Sequence, residues 1–193
     1  TDVVDLSVSG TSNLGANVTT TGTQTYTGAA IISANISLTG GSQLTFSSTV
    51  DSSDTDGTTD SRTLTTTFTE TEFDGAVGGT YALGALDING ALDLDAAITN
   101  ATSIDVSGTS NLGANVTTSG TQTYTGATTL SADVTLSTTN SNVTFSSTIK
   151  SSSGQNNNLV IAVRTGNVTF GDTVGSSAVN YSLTNSATIT TLT

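Results

Sequence analysis

Large apolar residues stand two apart along this chain, with Ser, Thr or Asp usually between them. Ile36–Leu38, Leu44–Phe46, Leu92–Leu94, Ile104–Val106, Val134–Leu136, Val143–Phe145 and Val168–Phe170 are examples. That alternation belongs to short strands with one face inward and the other in solvent. Thr and Val suit it, because β-branched side chains pack well on a pleated surface. Gly, Asn and Ser punctuate the triplets as turns require. No amphipathic helix longer than a turn or two is predicted. Even "YALGALDINGALDLDAAI" (81–98), helical in parts of its composition, reads as strand through Gly84, Gly90 and its Leu-x-Leu pattern.

A second pattern overlies the first. A large apolar residue is followed four places later by another apolar or small one, as in Leu14–Val18, Tyr26–Ala30, Phe46–Val50, Phe73–Val77 and Leu94–Ile98. Leu112–Val116, Tyr124–Thr128, Phe145–Ile149 and Phe170–Val174 repeat it. Successive anchors are about 20 residues apart on average, the length of a solenoid coil. At longer range, "TSNLGANVTTTGTQTYTG" (11–28) returns at 109–126 with one change, Thr21 against Ser119.

These patterns predict an all-β chain, a right-handed parallel β-helix (β-solenoid) over 1–193, made of two homologous repeats, 1–98 and 99–193. Leu14, Tyr26, Phe46, Phe73, Leu94, Leu112, Tyr124, Phe145 and Phe170 are the expected inward anchors, stacked in ladders. Gly15, Gly22 and Gly28 are expected to ease corners. Roughly nine or ten coils at ~4.8 Å each would make a rod of about 45 Å. The alternative is a pair of tandem β-sandwiches, one per half.

Composition narrows the function. Arg62, Lys150 and Arg164 face 15 acids, for a net charge of −12. Nucleic acid, whose affinity comes mainly from Lys and Arg on phosphates, is not an expected partner. Nor is an anionic lipid surface. No apolar run approaches the ~20 residues of a membrane span. Without Cys there is neither a disulfide framework nor a thiolate metal site. The lack of Met suggests a processed product or an excised piece, and no signal peptide is visible. The Thr- and Ser-rich, nearly Lys-free composition fits a secreted bacterial surface protein.

Candidate chemistry is sparse. "DSSDTDGTTD" offers Asp51, Asp54, Asp56 and Asp60, and its Asp-x-Asp-Gly resembles the opening of a calcium loop. The closing Glu of such a loop is missing. The corresponding segment of the second half (149–158) has no acid and carries Lys150. Calcium is thus a weak candidate, and no other metal or cofactor is expected. With no His and no Cys, the usual general base and thiol nucleophile are absent. No catalytic residue is assigned, and enzyme activity is not expected. Asp87, Asp93 and Asp95 read as the solvent side of strands. Asn-x-Ser/Thr sequons stand at Asn17, Asn35, Asn100, Asn115, Asn142, Asn167 and Asn180. A sugar-binding groove would need exposed aromatics, and most of the few here fall at core anchors, so no host or matrix glycan is identified.

The runs "SGTQTYTGATTLSADVTLSTTNSNVTFSSTI" (119–149) and "FDGAVGGTYALGALDINGALDLDAAI" (73–98) resemble repeats of very large filamentous-haemagglutinin-like bacterial adhesins. Gly-x-Gln-Thr-Tyr-x-Gly-Ala occurs at 22–29 and 120–127, each followed by a Thr-Phe-x-x-x-Val or related element. The resemblance implies a secreted right-handed β-helical shaft, at the cell surface or beyond it, that supports adhesion or matrix formation. The expected partners are neighbouring repeats of a longer chain or copies of this one. The alternative role is a subunit that polymerises end to end. "TDVVDLSVSG" and "SATITTLT" are both strand-like, and neither looks like a polar cap.

Overall fold

The computed structural model describes residues 2–54 and 60–175, together with the backbone of 180–183 and 188–189. Every described strand pairing is parallel. The chain is therefore a β-solenoid and not a pair of antiparallel sandwiches. Three short strands make each coil, and each strand lies on its counterpart one coil later.

The first face begins with Leu6–Val8 and continues through Gln24–Tyr26, Gln43–Phe46 and the later part of Leu64–Phe73. The later part of Leu83–Leu94, then Ser110–Leu112, Thr128–Leu130 and Ile149–Ser151 complete it. These eight rungs are seven coil-to-coil steps, at ~4.8 Å per step a length of about 34 Å. The described residues hold fewer than the nine or ten coils expected, because strands begin only at Leu6 and the step from Phe46 to Phe73 takes in the loop after Ser52.

On the second face Ser12–Leu14, Ala30–Ile32 and Val50–Ser52 stack in register. That ladder narrows to single bridges at Val50–Val77–Ile98 before widening again at Val116 and Leu136. The third face carries Val18, Leu38, Thr66, Ile88, Val106, Tyr124, Phe145 and Phe170 as successive inward residues.

The four-residue spacing marks corners. Leu14 ends a strand on the second face and Val18 opens one on the third. Phe145 and Ile149 likewise end one face and open the next. Both side chains point inward, and the three residues between them turn the chain. Corners are close-packed from coil to coil. A Cβ on Gly126 would collide with the backbone of Gly108 beneath it, and one on Gly28 with Gly10. Gly22 is similarly confined by Val4 and Asp5, whereas Gly15 meets only the Ser33 hydroxyl. Gly126→Ala should therefore force two coils apart at that corner and cost about 1–3 kcal/mol, read as a lower denaturant midpoint. Gly15→Ala should stay within about 1 kcal/mol of the parent.

All nine anchors are buried, eight of them at 2% exposure or less and Leu14 at 9%. Tyr26, Phe46 and Phe73 stack on the first face with ring centroids 5.2 and 5.5 Å apart, and Leu94 and Leu112 continue that ladder. Tyr124, Phe145 and Phe170 stack at 5.0 and 5.8 Å, but on the third face. The two homologous ladders are thus on different sides of the rod. Along the second face, five coil steps lead from Leu14 to Val116, and Leu112 sits one face earlier. The copy is displaced by five coils less one face. Its boundary is continuous, since Ile98–Val106 forms one strand across it.

Candidate functional site

The duplicated segment carries a buried polar assembly that apolar patterning does not reveal. Gln24 and Gln122 are completely buried. The Gln122 amide nitrogen donates toward the Val116 carbonyl at 3.2 Å, Thr118 Oγ1 at 3.3 Å and the Ser137 carbonyl at 3.0 Å. The Tyr124 hydroxyl donates to Gln122 Oε1 at 3.3 Å. Gln24 repeats the arrangement with Val18, Thr20, Thr39 and Tyr26. One glutamine thus satisfies carbonyls of its own coil and of the next, and its tyrosine partner completes it. Burial pushes the Tyr26 phenol up to about 12 and Tyr124 also upward, so both remain protonated donors through the neutral range.

A second device recurs at the corners. Asn17 Oδ1 accepts from the Ser37 backbone N–H at 2.8 Å, Asn35 from Thr63 at 2.9 Å, Asn115 from Thr135 at 2.7 Å and Asn142 from Asn167 at 2.9 Å. Asp5 and Asp133 do the same toward Thr23 and Asn158, both at 2.7 Å. These backbone bonds hold both carboxyls below the ordinary aspartate range. Each of the six residues directly precedes a strand and ties it to the next coil. An Asn at that place, an apolar residue inward, then Thr or Ser outward, spells a sequon. Four of the seven sequons are therefore products of solenoid geometry.

Two of the calcium candidates, Asp51 and Asp60, are engaged by the protein's own groups. Asp51 is buried, and its Oδ1 accepts from the Thr80 and Tyr81 N–H groups at 2.8 and 3.2 Å. Asp60 accepts from Ser53 Oγ at 2.7 Å and pairs with Arg62 at 3.2 Å. Asp54 is exposed, and Asp56 lies outside the described residues.

A different acidic group forms at the edge of the first face. Glu72, Asp74 and Asp95 each place a carboxylate oxygen within 4.8 Å of the others. Glu72 and Asp74 flank Phe73, and the Phe73–Leu94 register brings Asp95 to them from the next coil. Glu72 accepts from Gln43 and Thr45, each at 3.0 Å. Burial is the main cause raising the Glu72 and Asp95 carboxyls, and neighbouring carboxylates add to it. Three clustered carboxylate oxygens attract cations. A carboxyl raised in the fold stabilises it fully below the unfolded pKa, and that contribution is lost as pH rises through the folded pKa. Asp95→Asn should therefore raise the Tm at pH 7, and the gain should vanish near pH 3, where the parent carboxyl is protonated. Asp5 and Asp133 act in the opposite direction, so the comparison is between variant and parent melts at each pH.

On the second face, Ala29, Ile31 and Tyr81 line a groove of about 420 Å³ rimmed by Asp51, Asp54 and Thr80. Ile31 is 44% exposed, and Tyr81 is the one aromatic among the described side chains that is not buried. Among the described residues no helix is long and apolar enough to cross a membrane. Comparison with protein-family models, curated proteins and solved structures finds no match to this chain.

Proposed function

We propose that the chain is a structural shaft segment of a secreted bacterial surface adhesin or extracellular fibre, supporting adhesion or matrix formation. The observation that carries this reading is the continuity of the ladders. Eight rungs on the first face follow one another without a break, and aromatic stacks and buried glutamines fasten coil to coil. Such a body transmits load along its axis through parallel backbone hydrogen bonds, and it displays outward Thr, Ser, Asn and Asp side chains. The adhesin-like repeats and the acidic, Cys-free composition support an extracellular setting.

The experiment is electron microscopy of native material, with antibody to this chain marking its position. The reading expects label along stiff surface fibres. Label confined to the cell interior would sink it. A second reading is end-to-end polymerisation through the solenoid's strand edges. That reading expects purified chain to form filaments with an axial repeat of one chain length. Strictly monomeric sedimentation at high concentration counts against it.

A further inference from the structure

The internal duplication places one surface in two settings. In the second copy, Ser110–Leu112 rests on Leu92–Leu94, and Val116 rests on Ile98. In the first copy, among the described residues, the identical Ser12–Leu14 and Val18 pair only with the coil that follows. Burial registers the difference. Leu112 and Val116 are fully buried, whereas Leu14 is 9% exposed and Val18 is only half-buried. Ser110 is buried and Ser12 is not. The neighbouring Val3 and Val4 are 54% and 61% exposed.

The second copy also shows what its underside binds. The Gly113 N–H donates to the Leu94 carbonyl at 2.8 Å, and the Leu92 and Ile98 N–H groups donate to the Thr109 and Asn115 carbonyls at 2.8 and 3.0 Å. Asn111 Nδ2 donates to Asp93 Oδ1 at 2.9 Å. The counterparts in the first copy are Gly15, Thr11, Asn17 and Asn13, identical residues in the same order. Beside them, Val3 and Val4 accept from Thr21 and Gly22 as Ala101 and Thr102 accept from Ser119 and Gly120. The two undersides therefore match in sequence and in flanking backbone pairing.

We infer that the underside of the first coil, from Thr11 to Val18, is an acceptor for an extended segment with the chemistry of Gly90–Ile98. That segment carries a Leu-Asp-Leu strand, with its carboxylate beside Asn13 and its leucines beneath Ser12 and Leu14. An aspartate and two alanines then round the corner, and an aliphatic side chain seats under Val18. The partner is a strand, recognised by backbone pairing and by alternate side chains. This deepens the shaft reading and rests on it only for the idea that coils continue beyond the first.

The test places a second copy of residues 90–98 directly ahead of Thr1 in the full chain, so that tethering supplies a high local concentration. A control extension carries Asp at both leucine positions of the added copy. Hydrogen exchange at the Gly15 amide is the readout, because its twin Gly113 donates across this junction. The proposal expects exchange at Gly15 at least about tenfold slower with the native extension than with the control, together with a higher Tm. Equal exchange in the two would overturn it. Protection of Gly15 in the unextended chain that grows with protein concentration would also overturn it, in favour of a second copy as occupant. Fibre labelling is independent of both results, so failure here leaves the shaft reading standing.

Discussion

Gln122→Leu should destabilise the solenoid by about 2–4 kcal/mol, although leucine fits the apolar ladder on either side. Gln122 lies in register between Ile104 and Val143. The substitution thus exchanges one buried side chain for another of similar size. What it removes is the donor to the Val116 and Ser137 carbonyls and the acceptor for the Tyr124 hydroxyl. A buried polar group left without its partner costs about 1–3 kcal/mol. The double variant Gln122→Leu, Tyr124→Phe should cost less than the sum of the two single changes, because removing both partners leaves fewer orphaned groups. Urea denaturation of the four species measures the coupling. Strict additivity would show that the pair does not act as a unit.

Phe145→Ala should cost more, about 3–5 kcal/mol. The ring is 1% exposed, at 5.0 Å from Tyr124 and 5.8 Å from Phe170. Truncation opens a cavity in the middle of a stack and removes two ring contacts together. In a repeat structure each coil leans mainly on its neighbours, so the loss is local. Hydrogen exchange should accelerate most around Val143–Phe145 and Val168–Phe170, and much less at Gln24–Tyr26. Phe145→Leu should recover most of the stability, since leucines follow phenylalanine in the other ladder at Leu94 and Leu112. A uniform acceleration across the chain would refute the local picture.

Fold class and core were legible because both rest on short-range regularities. Apolar-x-apolar triplets gave the strands, and the four-residue spacing gave all nine anchors. The sides of the rod were not legible. Loop insertions change coil length, and only the register shows that Tyr26 and Tyr124 lie on different faces. The buried glutamines escaped because Gln in a Thr-rich stretch looks like surface, although its exact recurrence beside Tyr was a visible sign. The cluster of Glu72, Asp74 and Asp95 escaped because Asp95 joins the other two only through coil register. The Asp-rich loop was conspicuous for the opposite reason, being local in sequence. Its Asp51 and Asp60 serve the protein's own backbone, serine and arginine.

The offset between the two copies bears on how such a chain can change length. Leu94, Leu112 and Leu130 lie one above another at steps of 18 residues, which three faces divide into sixes. A segment gained or lost in units of six residues would turn everything beyond it by a third of a revolution while leaving each strand a ladder to join. Such a chain is read modulo a face, not modulo a coil. Its rod could grow in increments of about 1.6 Å, a third of the strand spacing. Each increment would also swing whatever the downstream surface displays to a new compass direction.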